Sequence, residues 1–174
     1  TDVQEGDWFY DAVMKASDLG WINGKGDGIF DPKGGMKRGD FAMLIANIKQ
    51  YDEEAYKDTT RFPDVSADSY YAGAIAWCVD QGYIDGYDDG EFKPNNLITR
   101  EQVAKIMCNA ADLNPASGNT KFADDAKIAG WAKPYINACV SAGIISGKEN
   151  NLYDPKTNLK RCEAAQLVVD AFSK

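Results

Sequence analysis

Three stretches of this chain carry apolar residues at i, i+3, i+4 and i+7: Phe41, Leu44, Ile45 and Ile48; Val103, Ile106, Met107 and Ala110; and Ala164, Leu167, Val168 and Ala171. That spacing puts each set on one face of a helix. Each stretch opens on an arginine, Arg38, Arg100 or Arg161, and each follows a shorter one-sided pattern. The first of these runs from about Trp8 to Leu19, with Trp8, Phe9, Ala12, Val13, Ala16 and Leu19 apolar; its counterparts hold Tyr71, Ile75, Cys78 and Val79, then Ala132, Ile136, Cys139 and Val140. Gly20, Gly82 and Gly143 come next, where a residue of positive φ closes a helix without steric cost.

The pattern is an internal repeat. Shifted by 62 positions, Trp8 falls on Tyr70, Gly24 on Gly86, Phe30 on Phe92, Pro32 on Pro94 and Arg38 on Arg100; a further shift of 61 reaches Trp131, Gly147, Tyr153, Pro155 and Arg161. Residues 1–61, 62–121 and 122–174 are therefore read as three copies of one unit, helix, tight loop, helix. Within the loops, an aromatic stands two residues before a proline in every copy, so that the ring pins the loop and the proline delays the second helix. Polar stretches 49–61 and 112–121 connect the units and leave no room for a separate catalytic domain. Units of about 60 residues are marginal alone, so they are expected to stabilise one another. The expected fold is mainly α and pseudo-threefold, with the three arginine-bearing helices forming a central three-helix bundle.

Charge narrows the partners. The formal balance is −8, with 19 basic against 27 acidic residues, a field that repels nucleic acid and anionic membrane surfaces. An anionic ligand would have to be held by local positive charge, and the repeated arginines are the candidates. No run reaches the roughly 18 to 20 apolar residues of a membrane span, so no membrane insertion is expected. The N-terminus lacks a basic-then-apolar signal pattern, as a processed chain would.

The chemistry of catalysis is thinly represented. With no histidine in the chain, histidine triads and histidine metal sites are excluded. A glycosidase needs only two carboxylates, but a threefold repeat of one arginine reads as a multivalent receptor and not an enzyme. Asp27-Gly28 and Asp88-Asp89-Gly90 suggest calcium, yet the third copy has Glu149-Asn150-Asn151 and the ligand order of an EF-hand is missing; neither metal nor cofactor is expected. Cys78, Cys108, Cys139 and Cys162 lack metal or redox spacing, and Cys78 and Cys139 align with Ala16, as small buried residues would. Cys162 lies in a first helical turn, where a helix dipole can lower a thiol pKa, but its counterparts are Gly39 and Glu101 and no base is near it in sequence, so a reactive role is not expected.

Phe62-Pro63-Asp64-Val65, Gly82-Tyr83-Ile84-Asp85-Gly86, Asp89-Gly90-Glu91-Phe92-Lys93-Pro94 and Ile98-Thr99-Arg100-Glu101-Gln102, recurring in order, closely resemble the S-layer homology repeat. The likeness covers nearly the whole chain, with Asp2-Val3 and Phe122-Ala123-Asp124-Asp125 opening the flanking copies. It implies a three-pronged spindle that binds a secondary cell wall polysaccharide attached to peptidoglycan, commonly through pyruvylated N-acetylmannosamine. It further implies an extracellular place at the bacterial cell surface, as part of a larger surface protein. The family's threonine-arginine-alanine-glutamate motif, whose arginine meets the ligand carboxylate in grooves between prongs, reads here Lys37-Arg38-Gly39-Asp40, Thr99-Arg100-Glu101-Gln102 and Lys160-Arg161-Cys162-Glu163. Only Thr99 can cap its helix; Lys37 and Lys160 add positive charge beside their arginines.

A pyruvate ketal presents one carboxylate, which arginine can meet with parallel N–H bonds while amides at the helix start contribute further. Gly24, Gly86 and Gly147 would let backbone approach the sugar, and Trp8, Tyr70 and Trp131 would cover its apolar faces. Bland alternatives stand beside each reading: inter-prong ion pairs for the arginines, turn geometry for the glycines and core packing for the aromatics. A structural or protein-interaction module built on such ion pairs is the competing function.

Overall fold

The computed structural model describes residues 2–174. Six α-helices carry the chain: α1 (Tyr10–Asp18), α2 (Arg38–Ile48), α3 (Ala72–Asp80), α4 (Arg100–Ala110), α5 (Lys133–Ser141) and α6 (Arg161–Phe172). Two short 3₁₀ turns, Asp125–Lys127 and Glu149–Asn151, complete the list, and the described residues hold isolated β-bridges but no strand. None of these helices is long and apolar enough to cross a membrane.

The short helices stop as their glycines require. Gly20, Gly82 and Gly143 have φ of +72°, +77° and +72°. In each case the glycine amide and the next one turn back onto the last helical turn, as Gly20 N to Ser17 O and Trp21 N to Ala16 O do, both at 2.9 Å. These bonds satisfy carbonyls that a helix end leaves orphaned.

The helices pair across unit boundaries. The close packings are α2 with α3, α4 with α5, and α1 with α6, so that each first helix lies on the second helix of the preceding unit and the first unit closes onto the last. The expected mutual packing of α2, α4 and α6 is not among them. An apolar stripe fixes which face is buried but not which stripe covers it, and here the small residues of α1, α3 and α5 supply the cover: the thiols of Cys78 and Cys139 donate to the carbonyls of Ala42 and Ala104.

Buried backbone also joins the three units. Met36 N donates to Leu159 O (2.8 Å), Leu159 N to Ile98 O (3.0 Å) and Ile98 N to Met36 O (2.8 Å), a closed ring linking equivalent buried residues of the three units. Beside it, the first two amides of each long helix donate to the proline loop of the following unit: Arg38 and Gly39 to Asn96 and Pro94, Arg100 and Glu101 to Thr157 and Pro155, Arg161 and Cys162 to Gly34 and Pro32.

Each proline loop is held in turn by a carboxylate from the start of its own unit. Asp31, Lys93 and Asp154, just before the prolines, sit at φ of 59°, 57° and 62°. For a residue with a Cβ that conformation costs about 1–2 kcal/mol. Asp2, Asp64 and Asp124 each accept two loop amides there, as Asp124 does from Tyr153 and Asp154 at 2.9 Å.

The arginine side chains complete the joint. Arg38 Nε donates to Phe92 O (3.0 Å) and Nη2 to Asp85 O (3.1 Å); Arg100 reaches Tyr153 O (2.8 Å) and Ser146 O (3.1 Å), and Arg161 reaches Phe30 O and Asn23 O (both 2.8 Å). The guanidinium carbons lie 4.6, 4.9 and 4.7 Å over the rings of Phe92, Tyr153 and Phe30, the aromatics that precede the prolines. Each arginine thus clamps the loop of the next unit.

Two measurements follow from this joint. Losing a guanidinium strips two carbonyls of a charged donor, so Arg38→Ala is expected to lower unfolding free energy by about 3 kcal/mol in urea titration. Arg100→Ala should cost less, because that side chain is only half-buried, and Arg61→Ala should change little, since Arg61 pairs with Asp80 at the surface. An Arg38→Ala chain as stable as Arg61→Ala would contradict the joint.

Stability should also hold a plateau between about pH 4.5 and 8. Lys133 and Thr120 hold Asp125 down at about 2, and backbone amides or cations lower Asp2, Asp80, Asp89 and Asp154. Unfolded aspartates titrate near 3.9, so their contribution is complete above that value and is lost as pH falls through it. Burial pushes Cys78 and Cys139 up to about 12, whereas unfolded thiols ionise near 8.5, so stability also declines as pH rises past about 8.5. Thermal melts flat from pH 2 to 11 would contradict both arms.

Candidate functional site

The clamped arginines are presented, not sequestered. Arg38 and Arg161 are buried, at 4% and 5% exposure, and burial pulls both below the ordinary guanidinium pKa without approaching neutrality. Among the described residues no carboxylate lies within ion-pair distance of Arg38, Arg100 or Arg161. The inter-prong ion pairs of the competing reading are therefore absent; the arginines join the units through neutral carbonyls. Among the described residues their Nη1 atoms have no hydrogen-bond partner, and none of them is fully buried. Each site keeps a positive charge, fixed in position, with one edge open.

Each arginine lines a groove assembled from all three units. Arg161, the first loop and α2, with Tyr70 from the second unit, line a groove of about 550 Å³. Arg38, the second loop and α4, with Trp131, line one of about 300 Å³. Arg100, the third loop and α6, with Trp8, line one of about 190 Å³. The cyclic exchange arises because α2, α4 and α6 each start on the following unit's loop, which places an arginine one groove away from its own helix.

The aromatics stand at the groove rims. Trp8, Tyr70 and Trp131 are 65%, 64% and 49% exposed, which sets aside the core-packing alternative for them. The Tyr70 hydroxyl donates to the Asp40 carboxylate across the Arg161 groove. The glycines answer to their own loops. A Cβ on Gly86 would lie 2.4 Å from Phe62 Cε1 and 3.0 Å from Glu91 O, and one on Gly147 would lie 2.4 Å from Phe122 Cε1. Gly24 meets Ile29 O at 2.8 Å in the same way. Gly24 and Gly86 line their grooves, whereas Gly147 is not part of the third lining.

Other expectations change. The first two amides of each long helix are consumed by neighbouring loops, so they are not free for a ligand as the helix-start reading supposed. Thr99 caps α4 in a reciprocal box with Gln102, as its residue type predicts. Lys37 is exposed and lines the groove of Arg161, not of Arg38, and Lys160 is exposed without lining any of the three. Cys162 is buried, and its desolvation raises the thiol pKa instead of the dipole lowering it. The four cysteines are free.

Sequence reasoning missed the groove faces of the long helices. Asp40, Met43 and Asn47; Gln102 and Lys105; and Glu163, Gln166 and Asp170 line the three grooves from equivalent positions. Their i, i+3, i+7 spacing beside the apolar stripe was visible, but only the structure shows that this flank faces a cleft.

The sequence pattern described as the S-layer homology domain matches residues 1–42, 61–104 and 121–165. The chain is 36% identical over 149 residues to the surface-layer 125 kDa protein of Lysinibacillus sphaericus, covering 86% of this chain and 12% of that protein. It is 29% identical to an amylopullulanase of Thermoanaerobacterium thermosulfurigenes, over 99% of this chain and 9% of the enzyme. To the cellulosome-anchoring protein of Acetivibrio thermocellus it is 28% identical, over 85% of this chain and 34% of that protein. The chain thus spans from about a tenth to a third of the length of these relatives. With three matches in register with the repeated loops, clamps and grooves, the chain belongs to the S-layer homology domain family.

Proposed function

We propose that this chain is a non-catalytic anchoring module that binds an anionic polysaccharide of the bacterial cell wall in the grooves between its units. The observation that carries this reading is a guanidinium fixed by two carbonyls, in direct ion pair with no carboxylate among the described residues, lining a cleft rimmed by an exposed aromatic. A carboxylate on a sugar meets that edge through charge-assisted hydrogen bonds, and the aromatic covers an apolar sugar face. Pyruvylated N-acetylmannosamine, as the family resemblance implies, offers both. In this reading the units stand as three prongs, each binding weakly while the polymer engages them together.

The relatives fit an anchor at the cell surface. One is named a surface-layer protein and another a cellulosome-anchoring protein, and this chain matches 12% of the first and 34% of the second. Its match to only 9% of an amylopullulanase agrees with a passenger enzyme carried on other domains. A role in holding the units together is not a rival account, because the same arginine does that with Nε and Nη2 and leaves Nη1 for the ligand.

Calorimetry with synthetic pyruvylated N-acetylmannosamine and its unpyruvylated counterpart tests the carboxylate directly. Charge-assisted hydrogen bonds of about 1.5–3 kcal/mol predict a preference of roughly tenfold to a hundredfold for the pyruvylated sugar. Equal affinities, or binding of neither, would overturn the proposal.

A further inference from the structure

The three arginines are alike, but what faces them is not. In the Arg161 groove, Lys37 adds a second cation, Lys25 is already paired with Asp31, and Asp40, the lining carboxylate, is engaged by the Tyr70 hydroxyl. In the Arg38 groove, Lys105 pairs with Asp85 at 2.8 Å, and Asp88 adds a second carboxylate to the lining. In the Arg100 groove, no lysine is among the lining residues, while Glu163 and Asp170 both are; Gln166 holds Asp170 at 2.9 Å. Counted over the lining residues, the balance falls from positive, through neutral, to negative around the ring, with Asp31 and Asp2 acting on Arg161 from outside its lining.

Size and surface follow the same order. The Arg161 groove, about 550 Å³, is well within the range of about 300–1,000 Å³ typical of small-molecule sites, and the Arg100 groove, about 190 Å³, falls below it. The smaller groove is walled by Val103, Ile144, Ile145 and Leu167, which suit the apolar face of a sugar and offer nothing to a second negative charge.

We propose that the grooves sort the polymer by charge: the Arg161 groove takes its acidic sugar, and the Arg100 groove takes an uncharged sugar of the same chain. This rests on the anionic-polysaccharide reading and refines it. A carboxylate entering the Arg100 groove meets two like charges in a partly desolvated cleft, where their repulsion is screened less than in water. A neutral sugar instead brings hydroxyls that can donate to Glu163 and Asp170, and Arg100 then serves as a donor and not as a counter-charge. A polymer alternating acidic and neutral residues would engage both kinds of groove at once.

Each groove carries its own reporter. Trp21 lines the Arg161 groove, Trp131 the Arg38 groove and Trp8 the Arg100 groove, while Trp77 lines none and serves as a reference. The test follows the four indole N–H resonances by heteronuclear NMR as pyruvylated or unpyruvylated N-acetylmannosamine is titrated in. With the pyruvylated sugar, Trp21 should saturate at a concentration at least about tenfold below Trp8. With the unpyruvylated sugar, Trp8 should respond at least as early as Trp21. The double variant Glu163→Gln, Asp170→Asn should draw the pyruvylated-sugar response of Trp8 to within about threefold of Trp21, and Lys37→Gln should weaken that of Trp21 alone. Trp8 and Trp21 moving together with the pyruvylated sugar in the unaltered chain would overturn the sorting while leaving the anionic reading intact. Silence of all the groove indoles toward the pyruvylated sugar would overturn the anionic reading and the sorting with it.

Discussion

A buried guanidinium donating to two backbone carbonyls of the next unit is the interaction on which the rest of this structure depends. Carbonyls carry no net charge, so they can orient an arginine without neutralising it, as a carboxylate would. The unit interface thereby gains two charge-assisted bonds, and the groove gains a cation whose position is set before any ligand arrives. Stability and recognition are drawn from different edges of one planar group. A lysine at the same place could not divide its donors in that way.

The clamp makes sense only within the cyclic pairing. Each long helix begins on the following unit's loop, and each loop is pinned by a carboxylate that holds a positive-φ residue in place. The ring of Met36, Ile98 and Leu159 then joins the three units through backbone alone. Because α1 packs on α6, the last unit is completed by the first, and no unit has its full set of contacts by itself. That agrees with the small size of each unit relative to what an independent core needs.

Much of this was legible in the residues. The helices, their glycine stops and the threefold repeat followed from apolar period and alignment, because those features depend on local geometry that side chains dictate. The cap at Thr99 was legible for the same reason. What could not be read was which stripe covers which, since α2 and α3 carry compatible apolar faces with no label of partnership. The arginine's partners were hidden more deeply. Phe92 and Asp85 accept through main-chain oxygen, which every residue type has, so the sequence pointed instead to ligand carboxylates or ion pairs. Lys37 was read beside Arg38 because they are neighbours in the chain, whereas the helix start directs the two side chains into different grooves.

The direct test of the clamp is a crystal structure of the chain with a bound pyruvylated sugar. The account predicts the sugar's carboxylate against Nη1 of Arg161, within roughly 3 Å, with the Nε bond to Phe30 O and the Nη2 bond to Asn23 O both retained. A carboxylate bound away from the guanidinium, or an arginine that abandons its carbonyls to reach it, would contradict the claim that one side chain holds the units and the ligand together.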